Sequence, residues 1–575
     1  MWIVVAALAA MCAGCNTRTD DLRAAAAAAP AAWTTFRDAF IEDELRDNPP
    51  FAVDAGRHEY DGGLPDWSKA GIAARNSRLH AARDAAQKIG PLGLDAAQLF
   101  ERDYLLARID RDLFWDEAAE RPFTNPTFYL GGLGPSVYLT RDYAPLAERM
   151  RAYVTYAKAV PGAVAHIKEN LRLPLPQTFI ERAISGFAGF ASFFEADVPA
   201  IFAPVDDPAL QSEFASANKA AADAMRDLAK HFEAQRASAT QDFALGTEKF
   251  AQMLVATEQV TTPLAELEKI GRADLERNLA ALRVACEKYT PGRPIKACFA
   301  KLSADKPRGG PVAGATRQLV ELRQFVVDHK VVSVPSEEQA LVAEAPPYRR
   351  ANSAYIEIPG PYEKSLPATY YIAPPDPKWS KADQLAYIPG EADLLFTSVH
   401  EVWPGHFLNF LHANQSKSLV GRLFVGYAFA EGWAHYTEEM MVEMGLHKDD
   451  PAAQVGQLSN ALLRNVRYLS AIGLHTGGMT VEQSERMFLE EAFQDPGNAR
   501  QQAARGTYDP AYLNYTLGKL MIRKLRDDWT STRGGRSAWK QFHDEFLSYG
   551  GPPIPMVRKA MLGTDDDGVL FSSGP

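Results

Sequence analysis

The chain has 575 residues, 46% of them apolar and 23% charged, a composition that suits a globular protein long enough to bury a sizeable core. A formal charge of −11, a pI near 5.7 and the absence of any basic run or aromatic-interleaved basic patch exclude a nucleic-acid partner.

The opening stretch, MWIVVAALAAMCAGC, is an apolar run too short to span a bilayer, and it turns polar at NTRTDD. Residues 1–15 resemble a bacterial lipoprotein signal, with Cys12 where such signals usually carry Leu and no Lys or Arg ahead of the run. The resemblance implies a lipidated Cys15 as the mature N-terminus. Asn16 replaces the aspartate that retains such proteins at the inner membrane, so the implied destination is the outer membrane, facing the periplasm. An Ala-rich tether follows over residues 16–32, broken by Pro30.

Helical periodicity then dominates. Apolar residues recur every three or four positions in WTTFRDAFIEDELRDNPP, ARNSRLHAARDAAQKIG and AQLFERDYLLARIDRDLFWDEAAERP, each closed by Pro or Gly. The pattern continues in LAERMRAYVTYAKAVPGAVAHIKENL, FASANKAAADAMRDLAKHFEAQRA and LAELEKIGRADLERNLAALRVACEKY. No fixed-period repeat indicates a solenoid. Residues 33–345 are thus expected to form a helical region, and residues 346–575 a second region continuous with it. Cys286 and Cys298 flank EKYTPGRPIKA, whose Thr-Pro-Gly-Arg-Pro turn can fold the two arms back on each other. A disulfide closing this loop suits an oxidising compartment; two buried free thiols are the alternative.

Between residues 350 and 392 the texture changes to AYIEIPGPYEKSLPATYYIAPPDPKW, where alternation in YIEI and the TYYI run predict short strands of a small antiparallel sheet. An edge strand there could bind an extended peptide, with Tyr371 lining the groove; a plain surface hairpin is the alternative.

HEVWPGH, residues 400–406, follows. In a regular helix, His at i and i+6 point about 120° apart and cannot reach one ion. Pro404 removes an N–H and crowds the preceding turn, while Gly405 tolerates the backbone this requires, so a widened or broken turn can swing His406 back toward His400. Glu431 lies 25 residues after His406 in the apolar neighbourhood FVGYAFAEGWAHY, where an unpaired carboxylate is costly. Two His and one Glu form a known catalytic zinc set, with Glu401 placed to act as general base. Alternatively, Pro404-Gly405 simply ends a helix and the histidines are satisfied core or surface residues.

HEVWPGHFLNF, AEGWAHYTEEMMVEMG, RNVRYLSAIGLHTGGMTVEQSERMFLE and NYTLGKLMIRKLR resemble successive motifs of the bacterial family called domain of unknown function 885. That family is itself regarded as similar to helical gluzincin metallopeptidases. The resemblance covers most of the mature chain and is strongest from about residue 350 to 530. It implies a mainly α body around a cleft, with the N-terminal helices as wall or lid. It also implies His400, His406 and Glu431 as ligands of Zn2+, and Glu401 as base. Arg464, Arg467, His475 and Tyr515 fall in the C-terminal motifs, where such a peptidase needs donors for an oxyanion and for a substrate carboxylate. The arginines could equally be structural ion-pair residues, and His475 and Tyr515 core residues. One departure is Ala471, where the family often has Asp, so a charge partner for the neighbouring arginines is absent at that position. Glu438 lies two turns beyond Glu431, positioned to orient a ligand histidine from outside the ligand set, and His435 one turn beyond has similar standing.

The expectation is a zinc peptidase acting on small peptides or oligopeptides and reaching the membrane only through a lipid anchor. A zinc amidase acting on cell-wall peptides and a non-enzymatic binding lipoprotein are the alternatives.

Overall fold

The structure is a computed structural model that describes residues 27–346, 349–350, 353–363, 366–563 and 568–572. Cys15, the signal and the first part of the tether lie outside the described residues. The protein is mainly helical, with one small three-stranded sheet.

The periodic stretches form the long helices Lys69–Lys88, Ala96–Leu113, Leu146–Asn170, Pro208–Glu233 and Leu264–Tyr289. Their starts are capped as the sequence dictates. Ser68 and Asp207 accept a backbone N–H from the first turn, and Asp95 with Gln98 completes a reciprocal capping box. Pro30 does not break the chain as expected. It lies within a helix described over residues 27–47, whose Trp33 is fully buried and donates from Nε1 to Glu101 at 3.0 Å.

Helices Leu146–Asn170, Gln177–Ala196 and Pro208–Glu233 pack around Phe187, Phe194, Met225 and Phe232. A larger core gathers Trp403, Trp433, Tyr436, Tyr468 and Trp529, and it also takes in Phe250 to Val332 from before residue 345. Cys286 and Cys298 form a disulfide that joins Leu264–Tyr289 to the helix Ile295–Ala304, with both cysteines buried in that core.

The sheet is mixed, not antiparallel. Strands β2 (Ala354–Glu357) and β3 (Thr369–Ile372) pair antiparallel as expected, but β1 (Leu341–Glu344) pairs parallel to the other side of β3. Four residues with exposed ends, LVAE, carry too little alternation to announce β1 in the sequence. β3 is therefore the central strand. Tyr370 and Ile372 are buried, Tyr370 beside Ser398 and Glu401 of the helix Glu391–Glu401, while the Tyr371 ring stacks on Tyr355 at 5.2 Å. Tyr371 does not border the large cavity described below, which the sheet meets through β2, including Tyr355, and through Ile372 of β3.

Candidate metal centre and its cavity

The HEVWPGH segment is a break between two helices rather than a bulge within one. Helix Glu391–Glu401 stops, and helix His406–Asn414 begins five residues later. The backbone groups freed by the break are recovered locally: Val402 and Trp403 donate to the Ser398 carbonyl at 3.0 and 3.3 Å, and Gly405 donates to that of Val399 at 3.0 Å. Only glycine fits at 405, because a Cβ there would lie 1.8 Å from the carbonyl oxygen of His400. Trp433 Nε1 donates to the Pro404 carbonyl at 2.8 Å and fixes the turn to the Glu431 helix, Tyr427–Met444. The result is two imidazole rings 4.8 Å apart and nearly perpendicular.

His400 Nε2 and His406 Nε2 each lie 3.3 Å from the same atom, Glu431 Oε2. That oxygen is buried and neither contact completes a hydrogen bond, so an acceptor is left without a donor between two imidazole nitrogens. A tetrahedral zinc ion with bonds of about 2.0–2.1 Å sets neighbouring ligand atoms about 3.3–3.4 Å apart. The spacing, the orphaned oxygen and the His2Glu donor set all fit such an ion. Among the described residues these three form the one group of this kind, with ligand atoms all within 4.8 Å of one another.

Behind His400 sits Glu438, fully buried. Its Oε1 accepts from His400 Nδ1 at 2.7 Å and pairs with Arg464 Nη2 at 3.2 Å, while its Oε2 meets His435 Nδ1 at 3.3 Å. Burial alone would raise the Glu438 carboxyl, but Arg464, His435 and His400 outweigh it and hold the group well below the usual carboxylate range. A proton on His400 Nδ1 leaves Nε2 as the lone-pair donor facing Glu431. Burial drives His435 down to about 4, so its ring is neutral at pH 7.

Glu401, adjacent to His400 and bordering the cavity, is raised above the ordinary carboxylate value by burial, against the pull of His406 and His400. Tyr515 stacks its ring 6.1 Å from that of His400, and the guanidiniums of Arg464, Arg467 and Arg505 lie 5.9, 4.9 and 5.9 Å from its centre. Arg505 also donates to the Tyr427 hydroxyl at 2.9 Å and pairs with Asp509 at 2.9 Å. Tyr427 and Arg505 were not singled out in the sequence. Tyr427 sits one turn before Glu431, a spacing that could have drawn attention to it.

His475 is not part of the site. Its Nε2 donates to the Gly506 carbonyl at 2.8 Å, its Nδ1 accepts from Leu245 N–H at 3.2 Å, and its ring stacks on Phe250 in the core. Burial lowers it to about 4, so it serves as a neutral cross-link between backbone segments.

His400, Glu401, His406, Glu431, Arg467 and Tyr515 all border one cavity of about 3600 Å³, which is also lined by residues from the first 360, including Arg75, Asp116 and Tyr355. A family model described as bacterial protein of unknown function (DUF885) matches residues 49–561. The chain is also similar to a solved Shewanella oneidensis protein described as "a putative lipoprotein of unknown function", with TM-score 0.76 and 25% identity over 92% of this chain and 99% of that one. A second solved structure, "the putative lipoprotein from Colwellia psychrerythraea", shares the fold with TM-score 0.77 and 16% identity, over 94% and 98% of the two chains. No curated protein matches.

Proposed function

The chain belongs to the bacterial DUF885 family, and from the site it carries we propose that it is a zinc-dependent peptidase hydrolysing oligopeptides. The observation that carries this reading is the pair of histidine nitrogens, each 3.3 Å from one orphaned Glu431 oxygen, with Glu401 next in sequence to the first histidine. A zinc ion held there supplies Lewis acidity toward a scissile carbonyl and toward water. Glu401 takes the proton from the attacking water and delivers it to the leaving amine; its burial makes it a stronger base than a solvated carboxylate. The Tyr515 hydroxyl is the hydrogen-bond donor for the developing oxyanion, in place of His475. Glu438 and Arg464 hold the His400 ring in orientation.

The short apolar leader, the disulfide and the likeness to lipoproteins support a lipid anchor through Cys15 on the periplasmic side, and Asn16 after it points to the outer membrane as the destination. Among the described residues no helix is long and apolar enough to cross a membrane.

Elemental mass spectrometry of the purified chain lacking residues 1–15 tests the site. About one zinc per wild-type chain is expected, with none in folded His406→Ala and Glu431→Ala. Glu401→Gln is expected to keep zinc and lose peptide turnover. A wild type that takes up no zinc when supplied with it overturns the metal site, and full turnover in Glu401→Gln overturns the mechanism.

A further inference from the structure

Arg467 is a cation without a counter-charge. It lies in the helix Pro451–Thr476, is 8% exposed and borders the cavity. Its Nε donates to Gln502 Oε1 at 2.8 Å, and its guanidinium faces the Tyr515 ring at 4.9 Å. Arg464 has Glu438 and Arg505 has Asp509, but among the described residues no carboxylate pairs with Arg467. One turn away on its own helix stand Leu463, Arg464, Ser470 and Ala471, none of which carries a negative charge. Burial, followed by the neighbouring Arg505, pulls its pKa below the ordinary arginine value. A guanidinium this deeply buried is strongly stabilised by a carboxylate that accepts from two of its remaining N–H groups.

The missing anion has to arrive with a ligand, and its distance from the metal-ligand histidines limits what that ligand is. The guanidinium is 4.9 Å from the Tyr515 ring centre, which is 6.1 Å from the His400 ring. Arg467 is therefore within about 11 Å of His400, no more than roughly three residues of extended chain at about 3.4 Å each. The carboxylate that every linear peptide carries is the one at its C-terminus. We propose that Arg467 binds the terminal α-carboxylate of the substrate, so that the enzyme trims one to three residues from the C-terminal end. This rests on the peptidase reading.

The test uses the zinc-loaded chain with penta-alanine, penta-alanine amide, and an amidated pentapeptide ending in Glu. It is paired with calorimetric binding of the same peptides to Glu401→Gln, with and without Arg467→Met. The free acid is expected to be cleaved with kcat/KM about 100-fold above either amide, mainly through KM. Arg467→Met is expected to reduce that preference to a few-fold and to weaken binding of the free acid alone, and Arg467→Lys to restore part of it. Unchanged zinc content and melting temperature in Arg467→Met show that the variant is folded. Equal cleavage of acid and amide, or a preference that survives Arg467→Met, overturns the carboxylate site and leaves the peptidase reading standing. Recognition of the Glu-ending amide as well as the free acid overturns terminal recognition in favour of a side-chain carboxylate. Binding of the free acid that depends on Arg467 without any cleavage overturns the peptidase reading and keeps the carboxylate site. Neither binding nor cleavage overturns both.

Discussion

Glu438 shows what a single residue does for this site. It is fully buried, and its two oxygens serve His400, His435 and Arg464 at once. Glu438→Gln keeps the shape but replaces a charged acceptor with a neutral amide, so Nδ1 of His400 is held less firmly and the ring is a poorer donor at Nε2. Zinc affinity, measured by chelator competition, is expected to fall about 10- to 100-fold in Glu438→Gln. An unchanged affinity would show that the Glu438 contact does not tune the histidine.

At the scale of elements, the site depends on two helices that meet backbone to backbone. A Cβ at Gly518, in helix Asn514–Ser531, would sit 2.1 Å from the Ala428 carbonyl oxygen, and one at Gly432 would sit 2.5 Å from Gly518 Cα. This contact brings the helix carrying Glu431 against the helix carrying Tyr515. Lys519 reinforces it from the interior, pairing with Asp274 at 2.7 Å and Glu439 at 3.5 Å. Gly518→Ala has no room and must push the helices apart. It is expected to cost about 1–3 kcal/mol by denaturant unfolding and to lower zinc occupancy in parallel. Wild-type stability and full zinc loading would mean the helices can separate without consequence for Glu431.

Across the whole molecule, a clasp joins residues 55–61 and 141–143 to residues 362–363, far apart in sequence. His58 lies between Asp61 at 3.0 Å and Glu363 at 3.1 Å, stacked 3.6 Å from the Tyr143 ring, with Arg141 4.0 Å from Glu363. The Tyr362 N–H donates to the Ala55 carbonyl beside it. Burial opposes charge on His58, but Asp61 and Glu363 outweigh it and raise the ring to about 9. A histidine raised above its unfolded value near 6.5 contributes its full stability below about pH 6.5 and loses it as pH rises through about 9. The gap in melting temperature between wild type and His58→Phe is thus expected to be widest at pH 6 and to close above pH 9. A gap independent of pH would mean that the charge on His58 contributes nothing.

The sequence alone determined the local properties: helical periodicity, capping residues, the Pro-Gly interruption between two histidines, and a glutamate on a following apolar helix. These follow from short-range rules, since a face that repeats every three to four residues must be buried and an i, i+6 pair cannot share a face without a break. Glu438 was legible for the same reason, being two turns from Glu431. What only the tertiary structure decided was direction and company. His475 and Tyr515 looked equivalent in the sequence, yet one turns into the core against Phe250 while the other stacks beside His400. Tyr371 read as a groove residue until β1 paired on the far side of β3 and made it central. Arg464 and Arg467 stand three residues apart on one helix, and only the packing of the Glu431 helix gives the first a carboxylate and leaves the second facing the cavity without one. Which side chains meet across helices is set by long-range packing of many weakly specified contacts, which no single segment encodes.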